Sequence, residues 1–144
     1  MRGLDTISAF PAVSALNNLM ELNEISGKVI ELAINVHKEL GPGMLEGAYE
    51  ACLRFELIRA GLKVETQLKL PIIYQGIKID AGYRVDMLVQ DSLILELKAM
   101  ERLLPVHEAQ LLSYLRMSGL KLGLLINFNQ KLLRDGIRRV VNGL

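Results

Sequence analysis

A single cysteine, Cys52, and no tryptophan occur in 144 residues. A disulfide framework needs paired cysteines, so none can form within the chain, and such a composition suits a reducing cytoplasm. His37, Cys52 and His107 are scattered without ligand spacing, which excludes a Cys/His zinc site. Charge of one sign is lacking too: 17 basic and 16 acidic residues leave a formal net charge of +1. That is too little to announce a nucleic-acid binder by bulk electrostatics. No apolar run approaches the ~18 residues of a membrane span. There is no repeat, low-complexity tract or internal linker.

What is present is an apolar fraction of 51% in a chain sized for one globular domain. A chain of this length buries roughly two-thirds of its unfolded surface, enough for one core without metal or disulfide staples. Residues 1–22 read as an N-terminal extension and 23–144 as the domain. Met1 to Asn18 loosely resembles a secretory leader, with Arg2 and a possible cut after Ala15, but Asp5 and Pro11 interrupt its apolar stretch. The C-terminal part, from Lys121 onward, carries Lys121, Lys131, Arg134, Arg138 and Arg139 against Asp135 alone, and reads as a solvated basic face.

Periodicity sets the order of elements. Asn23 is placed to cap a helix whose apolar positions Ile25, Val29, Leu32, Ala33, Val36 and Leu40 recur at three- and four-residue steps, until Gly41, Pro42 and Gly43 stop it. A second helix runs from about Leu45 to Ala60, with Gly61 as its left-handed terminator. Val64, Leu68, Leu70 and Ile72 then alternate with polar neighbours, and Ile77 and Ile79 resume after Gln75 and Gly76, as in a β-hairpin. Two strands, Tyr83 to Val89 and Leu93 to Lys98, flank Gln90, Asp91 and Ser92. A helix from about Pro105 to Ser118 ends at Gly119, and Leu122 to Asn127 reads as a strand buried on both faces. Ile137 to Val141 fits a last strand or a helical turn. The expected class is α/β (α+β): a mixed central sheet flanked by helices.

A three-residue loop at 90–92 sets Val89 against Leu93, and the same register sets Asp86 opposite Glu96, their Cβ atoms roughly 5 Å apart. Like charges so placed repel, and their neighbours are apolar. Lys98, two residues beyond Glu96, shares its face, whereas Leu97 points into a core. Two carboxylates can hold a hard divalent cation, and the ammonium can position a water, which is what phosphodiester hydrolysis requires. The plain alternative is an exposed strand pair in which Glu96 meets Lys98 or Arg84, an arrangement worth little energetically.

Two helical pairs can complete the site: Glu46 with Tyr49, and Gln110 with Tyr114. Glu46 supplies a third acid, Gln110 a hydrogen bond to a phosphate or the attacking water, and Tyr114 a surface for sugar or base. Taken singly, each tyrosine better fits a core aromatic with a satisfied hydroxyl. His107, opening the later helix, is a candidate substrate contact; His37 reads as structural.

The run HKELGPGMLEGAYEACLRFEL, with Gly43, Glu46 and Tyr49, and the run YRVDMLVQDSLILELKAMERLLPVHEAQLLSYLRMSGLKLGLLINFN resemble the GxxExxY proteins, a family placed in the PD-(D/E)XK nuclease superfamily. The resemblance spans about residues 23 to 144. It implies a restriction-endonuclease-like core and phosphodiester cleavage dependent on Mg²⁺ or Mn²⁺. Asp86 matches the metal-binding Asp, Glu96 the second acid, Lys98 the catalytic Lys and Glu46 the helix acid. Gln110 with Tyr114 is similar to the QxxxY element of RecB-type nucleases. The metal set is then Asp86, Glu96, the backbone carbonyl of Leu97, and Glu46 through water; Tyr114, Tyr49 and His107 are assigned to substrate. Val85 stands where the motif's name has Pro. Nucleic acid, DNA before RNA, is the implied partner. A homodimer through a free sheet edge or a partner protein is compatible with the small size. Two other readings stay open: a nucleic-acid-binding module that does not cut, and a dimerising structural protein.

Overall fold

The structure is a computed structural model that describes residues 19–144. The extension and its candidate cleavage after Ala15 lie outside the described residues up to position 18. The first helix, α1, spans Leu19–Leu40, starting ahead of the expected cap at Asn23, and buries Leu22 completely. Asn23 is therefore inside the helix and does not cap it. Its side-chain oxygen accepts a hydrogen bond from Arg139 Nη2 at 2.8 Å, tying the helix to the last strand.

The second helix, α2, spans Glu46–Arg59, and Gly61 follows in the left-handed region, φ +86°, as its position after the helix anticipates. Seven strands follow: β1 (Val64–Lys69), β2 (Ile72–Tyr74), β3 (Ile77–Ile79), β4 (Arg84–Val89), β5 (Leu93–Lys98), β6 (Leu122–Asn127) and β7 (Ile137–Val141). A third helix, α3 (Pro105–Ser118), connects β5 to β6, and a 3-10 turn at Leu133–Gly136 precedes β7. Of the two forms that fitted Ile137 to Val141, the strand is the one adopted. Five strands form one sheet in the order β1-β4-β5-β6-β7, with β5 and β6 parallel and every other pair antiparallel.

The hairpin expected over 64–79 divides in two. β1 pairs with β4, whereas β2 and β3 form a separate two-stranded arm. Pro71 lacks the N–H that a continuing ladder needs, and the Leu70 amide is already donated to the Tyr83 carbonyl at 2.9 Å, closing the base of the arm. Its two-residue turn places Gln75 and Gly76 at φ +49° and +77°, the conformation that suits the twist of a tight hairpin.

Alternation along the central strands distributes the core. Met87, Val89, Leu93, Leu95, Leu97, Leu122, Leu124 and Ile126 meet α1 and α2, and on the other face Leu88, Ile94 and Leu125 meet Leu111, Tyr114 and Leu115 of α3. β6 is buried on both faces, as its unbroken apolar run implied. Gly123 within it is needed for space, since a Cβ there would come within 2.8 Å of Leu111 Cδ1. Asn127, fully buried at the end of β6, donates Nδ2–H to the Met100 carbonyl and accepts from the amides of Met100 and Asn129. That amide fixes the chain just beyond Lys98. No helix among the described residues is long and apolar enough to cross a membrane.

Candidate active site

The site forms where β4 and β5 part. Their ladder runs Val89↔Leu93, Leu88↔Ile94, Met87↔Leu95 and stops. One step further the same register would oppose Asp86 and Glu96, and there the side chains take over from the ladder. The Asp86 amide donates to Glu96 Oε2 at 2.8 Å, and the Leu97 amide donates to Asp86 Oδ2 at 2.8 Å. Two acids facing each other repel, so the strands diverge, and each carboxylate accepts an amide that would otherwise lose its partner. The crossed pair brings both acids to one point.

Glu96 is only 5% exposed. Burial, followed by the charge of Asp86, pushes its carboxyl from 4.5 up to about 8; the Asp86 amide and the Lys98 ammonium pull the other way, and Glu46 adds to the rise. A buried acid with two acidic neighbours and one lysine has negative charge to spare. One oxygen of each acid is available: Asp86 Oδ1 receives only a long 3.3 Å bond from Gln67 Nε2, and Glu96 Oε1 accepts none from the described residues. Since the Leu97 amide points toward β4, its carbonyl shares that edge of the strand.

A family model described as the PD-(D/E)XK nuclease superfamily matches residues 23–140, most of the chain. The chain belongs to the PD-(D/E)XK nuclease superfamily. No curated protein and no solved structure shows a significant match. The five-stranded mixed sheet with helices on both faces is consistent with the core of that superfamily.

Against a PD-(D/E)XK frame, the acids and Lys98 gather at the fork and the remaining candidates separate into distinct roles. Glu46 stands in the first turn of α2, exposed, and reaches Glu96 through its charge. Among the described residues no group of three or more His, Cys, Asp or Glu side chains is close enough to share an ion. Gln110 is half-buried on α3, one turn from Tyr114 on the same face, and makes no hydrogen bond to the described residues.

The three substrate candidates each have a partner within the fold. Tyr49 is fully buried, stacks on Phe128 with ring centres 4.4 Å apart, donates its hydroxyl to the Gly41 carbonyl and accepts from the Met44 amide. It cannot touch a substrate. It clamps the turn containing Gly43, whose φ of +101° favours glycine, and thereby sets where Glu46 stands. Tyr114 is 5% exposed, too covered to offer a face to a base. Burial, then the charge of Glu96, lifts its hydroxyl to about 12, which places it against the acids and keeps it protonated. His107, half-buried, accepts the Leu104 amide on Nδ1 at 2.9 Å, so its ring caps α3. His37 is structural as expected, bonding the Gln130 carbonyl through Nε2 at 2.7 Å.

Gln67, Glu50 and Tyr83 also belong to the surroundings. Gln67 takes a left-handed φ of +50° within β1 and donates Nε2–H to Glu50 Oε1 at 2.6 Å as well as to Asp86. Glu50 follows Glu46 by four residues and so shares its helix face, a signal readable in the sequence. Nothing in the sequence marks the left-handed turn of Gln67. Tyr83, 42% exposed, meets Tyr114 edge-on at 6.0 Å and is the open aromatic of the pair.

Proposed function

We propose that this protein is a nuclease of the GxxExxY type that hydrolyses phosphodiester bonds of nucleic acid, DNA in the first instance, with Mg²⁺ or Mn²⁺. Superfamily membership supports a nuclease in general terms. The observation that carries the specific reading is the crossed Asp86–Glu96 pair with its excess of negative charge. Oxygen donors suit a hard cation, and two carboxylates with a backbone carbonyl leave positions for water and substrate, the coordination habit of Mg²⁺. Asp86, Glu96 and the Leu97 carbonyl would hold the ion; Glu46 would act on it through water. When bound, the ion supplies neutralisation of the phosphate and a more acidic attacking water.

The chain's own part follows from its charges. Lys98, on the face of Glu96, orients the nucleophile or steadies the charge that develops on the phosphate oxygens. Gln110 offers an uncommitted amide for a phosphate or water. Asp86 stays anchored through Oδ2 by the Leu97 amide, so its other oxygen is held in a defined direction. We infer a cytoplasmic setting from the lone half-buried thiol of Cys52.

The test is cleavage of labelled single-stranded DNA and plasmid with Mg²⁺, beside Lys98→Ala and Asp86→Ala prepared identically. Turnover that needs the cation and vanishes in both variants is expected. Equal turnover in wild type and Lys98→Ala signals a contaminant and removes the enzyme reading. Retention of DNA without turnover supports the non-cutting module.

A further inference from the structure

The geometry points to the β2–β3 arm as a binding arm for unpaired nucleotides beside the cleavage site, making single-stranded nucleic acid the substrate class. This rests on the nuclease reading for its choice of partner. The arm leaves the sheet where Lys69 pairs with Arg84, two residues before Asp86, so whatever it holds is delivered to the fork. Its cross-strand pairs Ile72↔Ile79 and Tyr74↔Ile77 put four apolar side chains on one face. Tyr74 and Ile77, flanking the turn, are 60% and 63% exposed. An apolar patch of this kind is often a functional surface. Lys78 lies on the opposite face opposite Ile73, and Lys69 and Arg84 lie at the base; Asp80 is the one acid of the segment. None of the three cations makes an ion pair among the described residues.

An exposed tyrosine on one face and cations without an ion pair match a polynucleotide strand, whose bases stack on tyrosine while its phosphates need positive charge. Tyr83 continues the series from the arm to the acids, since it leans on Tyr114 while keeping its own surface open. A duplex hides the base faces that these rings would take, so the arm favours unpaired strands. A second copy of the chain fits less well. The open apolar area of the arm is on the order of 300 Å², against ~800 Å² per partner in a stable dimer.

Fluorescence anisotropy with the full chain in EDTA tests this apart from catalysis. The probes are a labelled DNA strand of about 20 nucleotides, the same sequence as RNA, and the DNA duplex. Wild type is expected to bind a single strand at least about tenfold more tightly than the duplex. Tyr74→Ala and Tyr83→Ala are each expected to weaken it about fivefold or more, with Lys78→Ala lowering the salt slope by about one. Because Tyr74 sits at an exposed turn, circular dichroism should show its variant folded. No binding by wild type, equal or tighter duplex binding, or unchanged affinity in both tyrosine variants would overturn the arm. So would a wild-type dimer that Ile77→Arg dissociates without altering oligonucleotide binding. Mn²⁺ titration on Tyr74→Ala reads the acids alone: intact cation binding with no role for the arm removes this inference and leaves the nuclease. Loss of cation binding in wild type with an arm that still binds strands does the reverse.

Discussion

Replacing Glu96 by glutamine keeps the shape of the side chain and removes its charge, which makes pH a direct probe of the fork. In the folded protein the carboxyl ionises near pH 8; in an unfolded chain it does so near 4.5. The native state therefore holds a proton that the unfolded state has released, and wild-type stability should fall as pH rises from about 4.5 to about 8. At ~1.4 kcal/mol per tenfold, the full difference is about 5 kcal/mol, and relaxation or water entry around an ionised Glu96 would reduce it to about 2–4 kcal/mol. Glu96→Gln lacks this titration. It should match wild type to within about 1 kcal/mol at pH 5 and exceed it by about 2–4 kcal/mol at pH 9. Urea denaturation in EDTA across pH 5–9 measures both proteins under identical conditions, and a pH slope in wild type that the variant lacks is the expected result. Parallel profiles would refute the argument that Glu96 is held protonated by burial and by Asp86.

Three structural predictions accompany it. Asn127→Ala removes the buried amide that holds Met100 and Asn129 and strands their peptide groups, costing about 2–4 kcal/mol by urea denaturation. Gly123→Ala forces a Cβ against Leu111 and should cost about 1–3 kcal/mol, part of which the added Leu111→Ala would relieve, as a double-mutant cycle would show. Tyr49→Phe keeps the stack on Phe128 but loses two hydroxyl bonds, so stability should drop about 1–2 kcal/mol, with faster amide exchange at Met44 as the local sign.

Much of the fold was legible because strand and helix periods differ. The 90–92 loop fixed the register of β4 and β5, and three pairs obey it. At the next step the register ends: Asp86 and Glu96 do not form the expected ladder pair, because each carboxylate accepts an amide from the facing strand and the strands fork there. The start of α1 was misplaced because Asn23 suits a cap, while its actual partner, Arg139, lies far away in sequence. For the tyrosines, helical spacing tells which residues share a face, but not which ring is covered. Tyr83, in the loop just before β4, is open, and Tyr114 against it is closed.

The chemical claim is that the fork between β4 and β5 receives one divalent cation. Calorimetric titration of the full chain with Mn²⁺ at pH 8 measures it directly. A single site per chain is expected, abolished in Asp86→Ala and in Glu96→Ala and merely weakened in Glu46→Ala. Absence of binding in the wild type, or binding that survives the loss of Asp86, would contradict it.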